Sequence, residues 1–329
     1  MTGDEAHSMQ TLRFHQYGAP SDVLHLETTS LPLPGSSQIR VRVQACALNP
    51  ADWALCQGLF PGNLPRGIGL DVAGTVDMVG DDVQDIAPGD AVLGAADFAG
   101  HASAGMSDFA VLHHWTRRPP GLGVAEAAAL PLAVVTAGHA LEILGVTSGQ
   151  TLMVNGAGTT IGYAAVQMAL LRGAHVVATA GATYAAVLRA QGVKVTAYGE
   201  GMAERVLALT ATPPDLILDT APPNGNLPTL VAIAGASNRV LTISDIAAAG
   251  ELGIRTNFTA AVPSPYELLE PFAQRAADGT FSVPVARTFP LQEWRAALEL
   301  SQSGQARGKV VLLLGDPSGG IAPLMQNIG

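Results

Sequence analysis

The chain has few charged residues for its length. Asp, Glu, Lys and Arg make up 13% of its 329 residues, whereas hydrophobic residues make up 48%. A disordered chain has the opposite composition, because it cannot bury enough apolar surface to offset the entropy it loses on folding. The composition therefore excludes intrinsic disorder, and a prior of roughly 150 residues per domain predicts about two domains.

Cysteine and basic residues are also scarce. The two cysteines, Cys46 and Cys56, are too few for a disulfide framework, and their spacing matches no zinc motif, which favours a reducing cytoplasm. Scattered among 27 acidic residues, the 17 basic ones leave a net charge of −10. We therefore expect no nucleic acid and no membrane surface as partner, and a small molecule as substrate.

Long hydrophobic runs are missing as well. Gly, Pro, Gln or Arg interrupts the most apolar stretches before they reach the roughly 18 residues of a membrane span. The first ten residues carry Asp4, Glu5 and His7 and lack the basic and apolar regions of a signal peptide. Both absences favour a cytoplasmic protein.

The local pattern changes along the chain. Residues 11–123 contain short β-forming runs between Gly, Pro and Asp, which predicts an irregular β-rich domain. Between 123 and about 257, strand and helix patterns alternate, and this βαβ order predicts an α/β fold with a parallel sheet. The clearest patterns are strands at 151–155, 175–179, 194–197, 216–219 and 240–243, and helices at 161–171, 184–191, 201–209, 266–277 and 294–301.

A glycine-rich turn follows the first strand of that sheet. It reads Gly156-Ala-Gly-Thr-Thr-Ile-Gly162 and leads into an amphipathic run. Small residues beside a helix N-terminus let backbone N–H groups bind a pyrophosphate. Because the spacing is G-x-G-x-x-x-G rather than G-x-G-x-x-G, the turn indicates either a dinucleotide site or an ordinary strand-to-helix turn.

The residues after the second strand bear on the choice of cofactor. NAD enzymes usually place an acidic residue there, about 20 positions after the glycines, to bind the ribose diol. Here the sequence is Ala178-Thr-Ala-Gly-Ala-Thr-Tyr184, without a carboxylate or an arginine. The missing carboxylate leaves room for a 2′-phosphate and favours NADPH.

Four groups of motifs occur in a fixed order between about residues 11 and 314. They are Ala47-Leu-Asn-Pro-Ala-Asp-Trp53; Gly69-Leu-Asp-Val-Ala-Gly74 with Gly89-Asp-Ala-Val92; Ala127-Ala-Ala-Leu-Pro-Leu-Ala133 with Thr136-Ala137; and Asn155 to Gly162 with Gly308-Lys-Val-Val311. With them the chain resembles the medium-chain dehydrogenase/reductase superfamily, in its zinc-free quinone oxidoreductase and enoyl reductase branch. The resemblance implies a Rossmann doubly wound parallel sheet at 125–258. It also implies a GroES-like, partly open β-barrel catalytic domain at 1–124 and 259–329, and a homodimer.

The resemblance also implies chemistry without zinc. Zinc-dependent relatives have Cys, His and Cys ligands at positions that are Asn49, Leu70 and Leu132 here, and none of these can bind zinc. The implied reaction is transfer of hydride from NADPH to a polarised C=C bond of an enone, enoyl or quinone acceptor. A non-redox NADP-binding protein, either a biosynthetic cyclase or a sensor, is the alternative.

Cofactor-binding residues follow from the same resemblance. Asn49 and Thr136 match residues beside the nicotinamide and are the catalytic candidates, with a turn or capping role as the alternative for each. The hydroxyls of Thr159 and Thr160 are expected to bind pyrophosphate. The full set of candidates is Asn49, Thr136, Gly156, Gly158, Thr159, Thr160, Ile161, Thr179, Tyr184, Tyr198, Ala221, Ile243, Ser244 and Lys309.

The adenosine end and the substrate side are less typical of the family. Tyr198 and Lys309 are expected near the 2′-phosphate, while the usual Ser and Lys appear as Ala180 and Tyr184. Substrate candidates are Trp53, Phe60, His101 and Met106. The three apolar ones favour a hydrophobic or aromatic substrate, with a place in the core as the alternative. Because imidazole titrates near neutrality, His101 is either a proton donor or a solvated loop residue.

Overall fold

The computed structural model describes residues 8–259 and 261–315. Its strands are β1 (Ser8–Phe14), β2 (Leu24–Ser30), β3 (Ile39–Ala47), β4 (Arg66–Gly67), β5 (Asp71–Val79), β6 (Ala91–Ala96), β7 (Phe109–Arg117), β8 (Thr151–Asn155), β9 (His175–Thr179), β10 (Lys194–Thr196), β11 (Leu216–Asp219), β12 (Val240–Thr242), β13 (Arg255–Thr256), β14 (Val285–Pro290) and β15 (Lys309–Leu313). Its α-helices are α1 (Pro20–Val23), α2 (Pro50–Cys56), α3 (Val124–Ala128), α4 (Pro131–Leu144), α5 (Thr160–Leu171), α6 (Ala182–Ala190), α7 (Met202–Thr210), α8 (Leu227–Ala234), α9 (Ile246–Leu252), α10 (Leu269–Ala277) and α11 (Trp294–Gln302).

A parallel sheet forms one half of the fold. Its strand order is β10-β9-β8-β11-β12-β13, and all of its pairings are parallel. The central strand β8 is buried on both faces, as expected for a sheet that helices cover on both sides. This order is the doubly wound Rossmann topology, so the predicted fold class is confirmed.

The barrel half is built from a second six-stranded sheet. Its order is β14-β15-β3-β5-β6-β7, and an additional pairing between β3 and β7 closes it. Neighbouring residues on its strands face opposite sides: Val72 joins the core inside the barrel, while Ala73 joins the core shared with α3 and α4. A small sheet of order β2-β1-β4 packs beside the barrel.

Helix α4 connects the two halves. It begins with Pro131, ends at Gly145 in a left-handed conformation (φ 71°), and packs against β5 and β6 of the barrel and β11 and β12 of the parallel sheet. Together with α3 it forms a stretch, Val124–Leu144, long and apolar enough to cross a membrane, which corrects the expectation that none exists. Because 78% of its most apolar window is buried inside the protein, this stretch is placed as a core helix is.

Sequence patterns locate most of the parallel sheet. The strands predicted at 151–155, 175–179 and 216–219 are observed with those bounds. The patterns give no indication of α4 or of the two-residue strand β13. Strands β8–β13 lie between 151 and 256 and the strands of the other sheets lie outside, while the domain bounds at 124 and 259 stay predictions.

Candidate functional site

The glycine turn between β8 and α5 requires glycine at two places. Gly156 has φ 84°, and a Cβ there would lie 2.6 Å from the backbone nitrogen of Ala221. A Cβ on Gly162 would lie 2.4 Å from the carbonyl oxygen of Gly156. Both glycines therefore allow the turn to pack tightly against the strand ends, whatever the spacing between them.

Three backbone amides of this turn are available to a ligand. The amides of Gly156, Thr159 and Gly162 donate to groups inside the turn or on β9. In the described part of the chain, the amides of Gly158, Thr160 and Ile161 have no hydrogen-bond partner. They lie at the N-terminus of the 12-residue helix α5, where the helix dipole favours an anion. The turn therefore fits the pyrophosphate of a dinucleotide.

Two threonines predicted to contact the cofactor have other partners. The Thr159 hydroxyl accepts from the Gly162 amide (3.0 Å) and donates to the Thr220 hydroxyl (3.1 Å), so it caps α5. Thr179 is fully buried, and its hydroxyl accepts from the Gly156 amide (3.0 Å). The expected contact of the Thr179 side chain is thus corrected, because this buried residue supports the glycine turn instead. Thr159 caps α5, and its contact with the cofactor stays a prediction.

Three neighbouring strands of the parallel sheet each end in a buried polar residue at the carboxyl edge, next to the glycine turn. These residues are Asn155 on β8, Asp219 on β11 and Thr242 on β12, and sequence reasoning missed all three. Asp219 accepts from the Asn155 amide (2.8 Å) and from the Thr242 hydroxyl (2.8 Å). Burial raises the pKa of Asp219, which these two hydrogen bonds oppose. The available signal was a single polar residue at the end of each apolar strand.

The remaining candidates at this edge lie on the loops that follow β11 and β12. Ala221, Ile243 and Ser244 are all half-buried, and the Ser244 hydroxyl donates to the Ala221 carbonyl at 2.5 Å. The two loops are therefore joined at the carboxyl edge, which is where ligands bind in open parallel sheets.

The two tyrosines expected near the adenosine lie in different environments. Tyr184 is 8% exposed; its ring lies against Gly158, and its hydroxyl donates to the carbonyl of Arg307 at 2.5 Å. Tyr184 therefore connects the Rossmann half to the segment that enters β15. Tyr198, after β10, is 63% exposed.

On the barrel side, a buried polar cluster joins Asn49, Asp71 and Lys309. The Lys309 ammonium lies 2.9 Å from Asp71 Oδ2 and also donates to Asn49 Oδ1, while Asn49 Nδ2 donates to Asp71 Oδ2 at 3.0 Å. The second oxygen of Asp71 accepts from the Leu132 amide at the start of α4 (2.7 Å). The three side chains are at most 3% exposed, so each charge is paired out of water.

This cluster corrects the expected place of Lys309. Its ammonium lies beside Asn49 in the barrel half, whereas Tyr198 follows β10 at the far edge of the parallel sheet. The buried Asp71 carboxylate provides the physical reason, because it holds the ammonium through an ion pair. Lys309 is therefore not at the adenosine 2′-phosphate end.

Asp52 binds backbone amides of two segments. Its oxygens accept from the backbone amides of Asn49 (2.7 Å), Gly69 (2.9 Å) and Leu70 (3.0 Å). Burial raises the pKa of Asp52 to about 7, and the nearby Asp71 adds to the rise, while the amide bonds oppose it. Asp52 thus links the start of α2 to the segment before β5.

The first turns of α4 present a face to the cleft between the halves. Leu132 and Thr136, four residues apart and on the same face, are half-buried, while the residues between them are buried. Zinc does not fit here: Leu70 and Leu132 offer no ligand atom, and the amide oxygen of Asn49 already accepts from Lys309. Among the described residues, no group of three or more His, Cys, Asp or Glu is arranged to hold a metal.

Two phenylalanines from different halves meet at the side of the cleft. Phe60, 49% exposed, lies 5.8 Å from Phe258, 51% exposed, between ring centroids. Phe60 has φ 52°, unusual for a bulky residue, and its carbonyl accepts from the buried Arg66 (2.6 Å). Phe258 follows β13 at the carboxyl end of the parallel sheet, and sequence reasoning missed it.

The other substrate candidates are not brought together with Phe60. Met106 is fully buried in the barrel core, so the structure corrects its assignment to the substrate side. Trp53 is partly buried against the same core. His101 lies near Asp97 (3.9 Å) and Gln38 (3.5 Å), and its role as a proton donor stays a prediction.

Comparisons with known families agree with this architecture. The family described as "Alcohol dehydrogenase GroES-like domain" matches residues 35–144, and "Zinc-binding dehydrogenase" matches residues 155–312. The structure of the quinone oxidoreductase from Coxiella burnetii superposes with a TM-score of 0.79 at 26% identity, covering 94% of this chain and 100% of that one. The chain belongs to the medium-chain dehydrogenase/reductase superfamily.

Curated relatives share about half of the chain. The "Chloroplast envelope quinone oxidoreductase homolog" of Arabidopsis thaliana is 35% identical over 186 residues, which are 53% of this chain and 56% of that protein. The "2-methylene-furan-3-one reductase" of Solanum lycopersicum is 36% identical over 173 residues, 49% of this chain and 44% of that protein. The chain thus spans about half the length of the curated relatives it matches.

Proposed function

We propose that the protein is an NADPH-dependent, zinc-independent oxidoreductase that transfers hydride to the activated C=C bond of an enone, enoyl or quinone acceptor. The observation that carries this proposal is the set of three unpartnered amides at Gly158, Thr160 and Ile161, at the edge where α4 joins both halves. A nicotinamide dinucleotide bound there would supply the hydride. Similarity to quinone oxidoreductases and to a reductase of tomato supports the reaction class.

The choice of NADPH is supported by the end of β9. Thr179 is followed by Ala180 and Gly181, and a Cβ on Gly181 would meet nothing within 4 Å. A 2′-phosphate therefore finds space and no carboxylate to repel it, whereas a ribose diol lacks its usual acidic partner.

Chemistry without zinc is supported by the barrel cluster. Asn49, Asp71 and Lys309 bond to one another, so they orient one wall of the cleft. An enolate formed by hydride addition to a conjugated acceptor needs only a hydrogen bond and a proton from solvent. Reduction of a C=C bond therefore fits this site better than oxidation of an alcohol through a metal alkoxide.

The acceptor is proposed to be hydrophobic or aromatic. Phe60 and Phe258 present two half-exposed rings, and aromatic faces pack well against planar conjugated molecules. We further propose a homodimer in the cytoplasm with a small-molecule substrate and with neither nucleic acid nor membrane as partner. The net charge of −10 supports the last two points.

The experiment combines nucleotide binding with an acceptor panel. NADPH and NADH are titrated into the protein by nicotinamide fluorescence, and enones, enoyl thioesters and quinones are then added. We expect tighter binding of NADPH and a loss of its absorbance that depends on the acceptor. Binding without oxidation of the nucleotide would favour the non-redox alternative, a cyclase or sensor.

A variant tests the acceptor side separately. Phe258→Ala should raise KM for aromatic acceptors about tenfold, a loss of about 1.4 kcal/mol of contact, and leave NADPH affinity unchanged. Leu171→Ala is the matched control, because Leu171 is 49% exposed at the opposite end of α5. An equal KM for both variants would remove Phe258 from the acceptor site.

A further inference from the structure

A chain of buried hydrogen bonds crosses the parallel sheet just beneath its carboxyl edge, which is the edge where the cofactor is proposed to bind and is called the cofactor edge below. The chain of bonds starts at the Gly156 amide, passes through Thr179, Asn155, Asp219 and Thr242, and ends at the amides of Ser244 and Asp245. It crosses four adjacent strands, β9, β8, β11 and β12. Its two ends are the glycine turn and the loop after β12. These two loops would flank a dinucleotide bound as proposed.

The direction of the bonds is fixed at both ends, where backbone amides only donate, and in the middle, where the Asp219 carboxylate only accepts. An ionised carboxylate only accepts, so Asp219 requires Asn155 to turn its Nδ2 towards it (2.8 Å). Asn155 then presents Oδ1 to Thr179, whose hydroxyl donates to it at 2.7 Å. The oxygen of Thr179 is left to accept from the Gly156 amide at 3.0 Å.

The same logic holds on the other side of the carboxylate. Asp219 Oδ2 accepts a hydrogen bond from the Thr242 hydroxyl (2.8 Å). The oxygen of Thr242 in turn accepts from the amides of Ser244 (3.2 Å) and Asp245 (3.3 Å). Asp219 Oδ1 also accepts from the Ala221 amide at 3.3 Å. Three loops at the carboxyl edge are thereby tied to one side chain.

We propose that Asp219 is a positioning residue for dinucleotide binding, because its carboxylate sets the direction of the hydrogen bonds that hold the glycine turn and the Ser244 loop. The role rests on the proposed function. Asp219 does not need to touch the cofactor, and a neutral isostere at this place should disturb both loops at once.

Asp219→Asn is the direct test, since it preserves shape and introduces a donor where only acceptors fit. Its amide nitrogen must face Asn155 or Thr242, so one of these two bonds must reverse or break, and we expect the disturbance in the segments of Gly156 or Ser244, to which these bonds lead. Asp215→Asn is the matched control. Asp215 precedes the same strand β11 at the opposite edge, where it accepts from the Thr151 amide at 2.8 Å.

Hydrogen–deuterium exchange, measured without nucleotide, tests directly whether Asp219 holds the two loops. Asp219→Asn should speed exchange at least tenfold in the segments that contain Gly156 and Ser244, and Asp215→Asn should change neither. Thr179→Val should loosen only the Gly156 segment, and Thr242→Val only the Ser244 segment. These two variants keep the test decisive if Asp219→Asn does not fold.

Nucleotide titration tests whether the loss of Asp219 weakens the binding of NADPH and NADH. Asp219→Asn should weaken NADPH and NADH at least tenfold each, because both nucleotides share the pyrophosphate and nicotinamide loops. Wild-type affinity should fall as acidification protonates Asp219, whose pKa burial and the nearby Asp245 raise, and the fall should be absent in Asp219→Asn. A role in stability alone would lower the melting temperature and leave this pH profile unchanged.

The two possible failures are distinguishable. A wild-type protein that binds neither nucleotide overturns the proposed function, whatever the exchange rates show. A wild-type protein that binds both, with Asp219→Asn equal to Asp215→Asn in affinity and exchange, overturns only the positioning role.

Discussion

The two sides of the cleft each contain a buried aspartate, and the two carboxylates are satisfied differently. On the barrel side, Asp71 (1% exposed) pairs with the Lys309 ammonium and the Asn49 amide. On the Rossmann side, Asp219 (5% exposed) accepts only from neutral donors on Asn155, Ala221 and Thr242. An ion pair neutralises the charge of Asp71, whereas Asp219 is linked through further hydrogen bonds to backbone amides of the glycine turn and the Ser244 loop.

This difference separates a structural cluster from one that bears on binding. The bonds of Asp71 end at Lys309, Asn49 and the start of α4, so they fix one wall of the cleft against the helix that connects both halves. The bonds of Asp219 extend outward to the glycine turn and the loop after β12. We therefore expect changes at Asp71 and its partners to appear mainly in stability, and changes around Asp219 mainly in nucleotide affinity.

The largest effect is expected from breaking the ion pair. Lys309→Met should lower the free energy of unfolding by about 3–5 kcal/mol, because it leaves the Asp71 carboxylate buried without a counter-charge. Urea denaturation measures this loss. Arg117→Met is the control: its pair with Asp90 is at the surface, with the Arg117 side chain 59% exposed, so a much smaller loss than for Lys309→Met is expected. Similar losses in both variants would show that burial does not strengthen the Asp71 pair.

A smaller loss is expected from crowding the glycine turn. Gly162→Ala should cost about 1–3 kcal/mol of unfolding free energy, because its Cβ would lie 2.4 Å from the Gly156 carbonyl oxygen and 2.5 Å from the Thr220 hydroxyl oxygen. It should also weaken NADPH, since the turn must shift. Thermal unfolding and nucleotide titration measure the two effects. Gly250→Ala on α9, where a Cβ meets nothing within 4 Å, should lower neither stability nor NADPH affinity.

At Asp52 we expect a change of stability with pH rather than a loss at a single pH. Because the folded-state pKa of about 7 exceeds the ordinary 3.8, the folded protein holds this proton more tightly, and the resulting stability is lost as pH rises through about 7. The stability difference between wild type and Asp52→Asn should therefore change between pH 4 and 7, by at most about 1.4 kcal/mol per pH unit. Denaturant titrations across this range measure it. The free energy of unfolding of Asp22→Asn, at an exposed position, should change with pH as that of wild type does. The same pH dependence for Asp52→Asn would contradict the prediction.

Sequence reasoning was most successful where the signal is local. The apolar strands at 151–155 and 175–179 and the turn at 156–162 are short, continuous patterns, and their positions in the fold follow from the βαβ order. Helix α4 escaped prediction because ten of its fourteen residues are buried, so no polar face marks a helical period.

The polar partners of the site escaped prediction for a different reason. Lys309 stands 238 positions from Asp71 and 260 from Asn49, and Asn155 stands 64 from Asp219. Nothing in a local pattern relates such residues. Met106 and Phe60 show the same limit on the apolar side, because hydrophobicity alone does not distinguish a core residue from one at a cleft.

The sequence by itself determined the α/β class, the positions along the chain of strands β8 to β12 and the place of the glycine turn. Each of these depends on residues that are neighbours along the chain. Only the tertiary structure decided that Lys309 neutralises Asp71, that Thr159 caps α5, and that Asp219 directs the bonds beneath the cofactor edge. A hydrogen bond or ion pair needs its two groups within about 3 Å, and strand register and the packing of the two halves bring them to that distance.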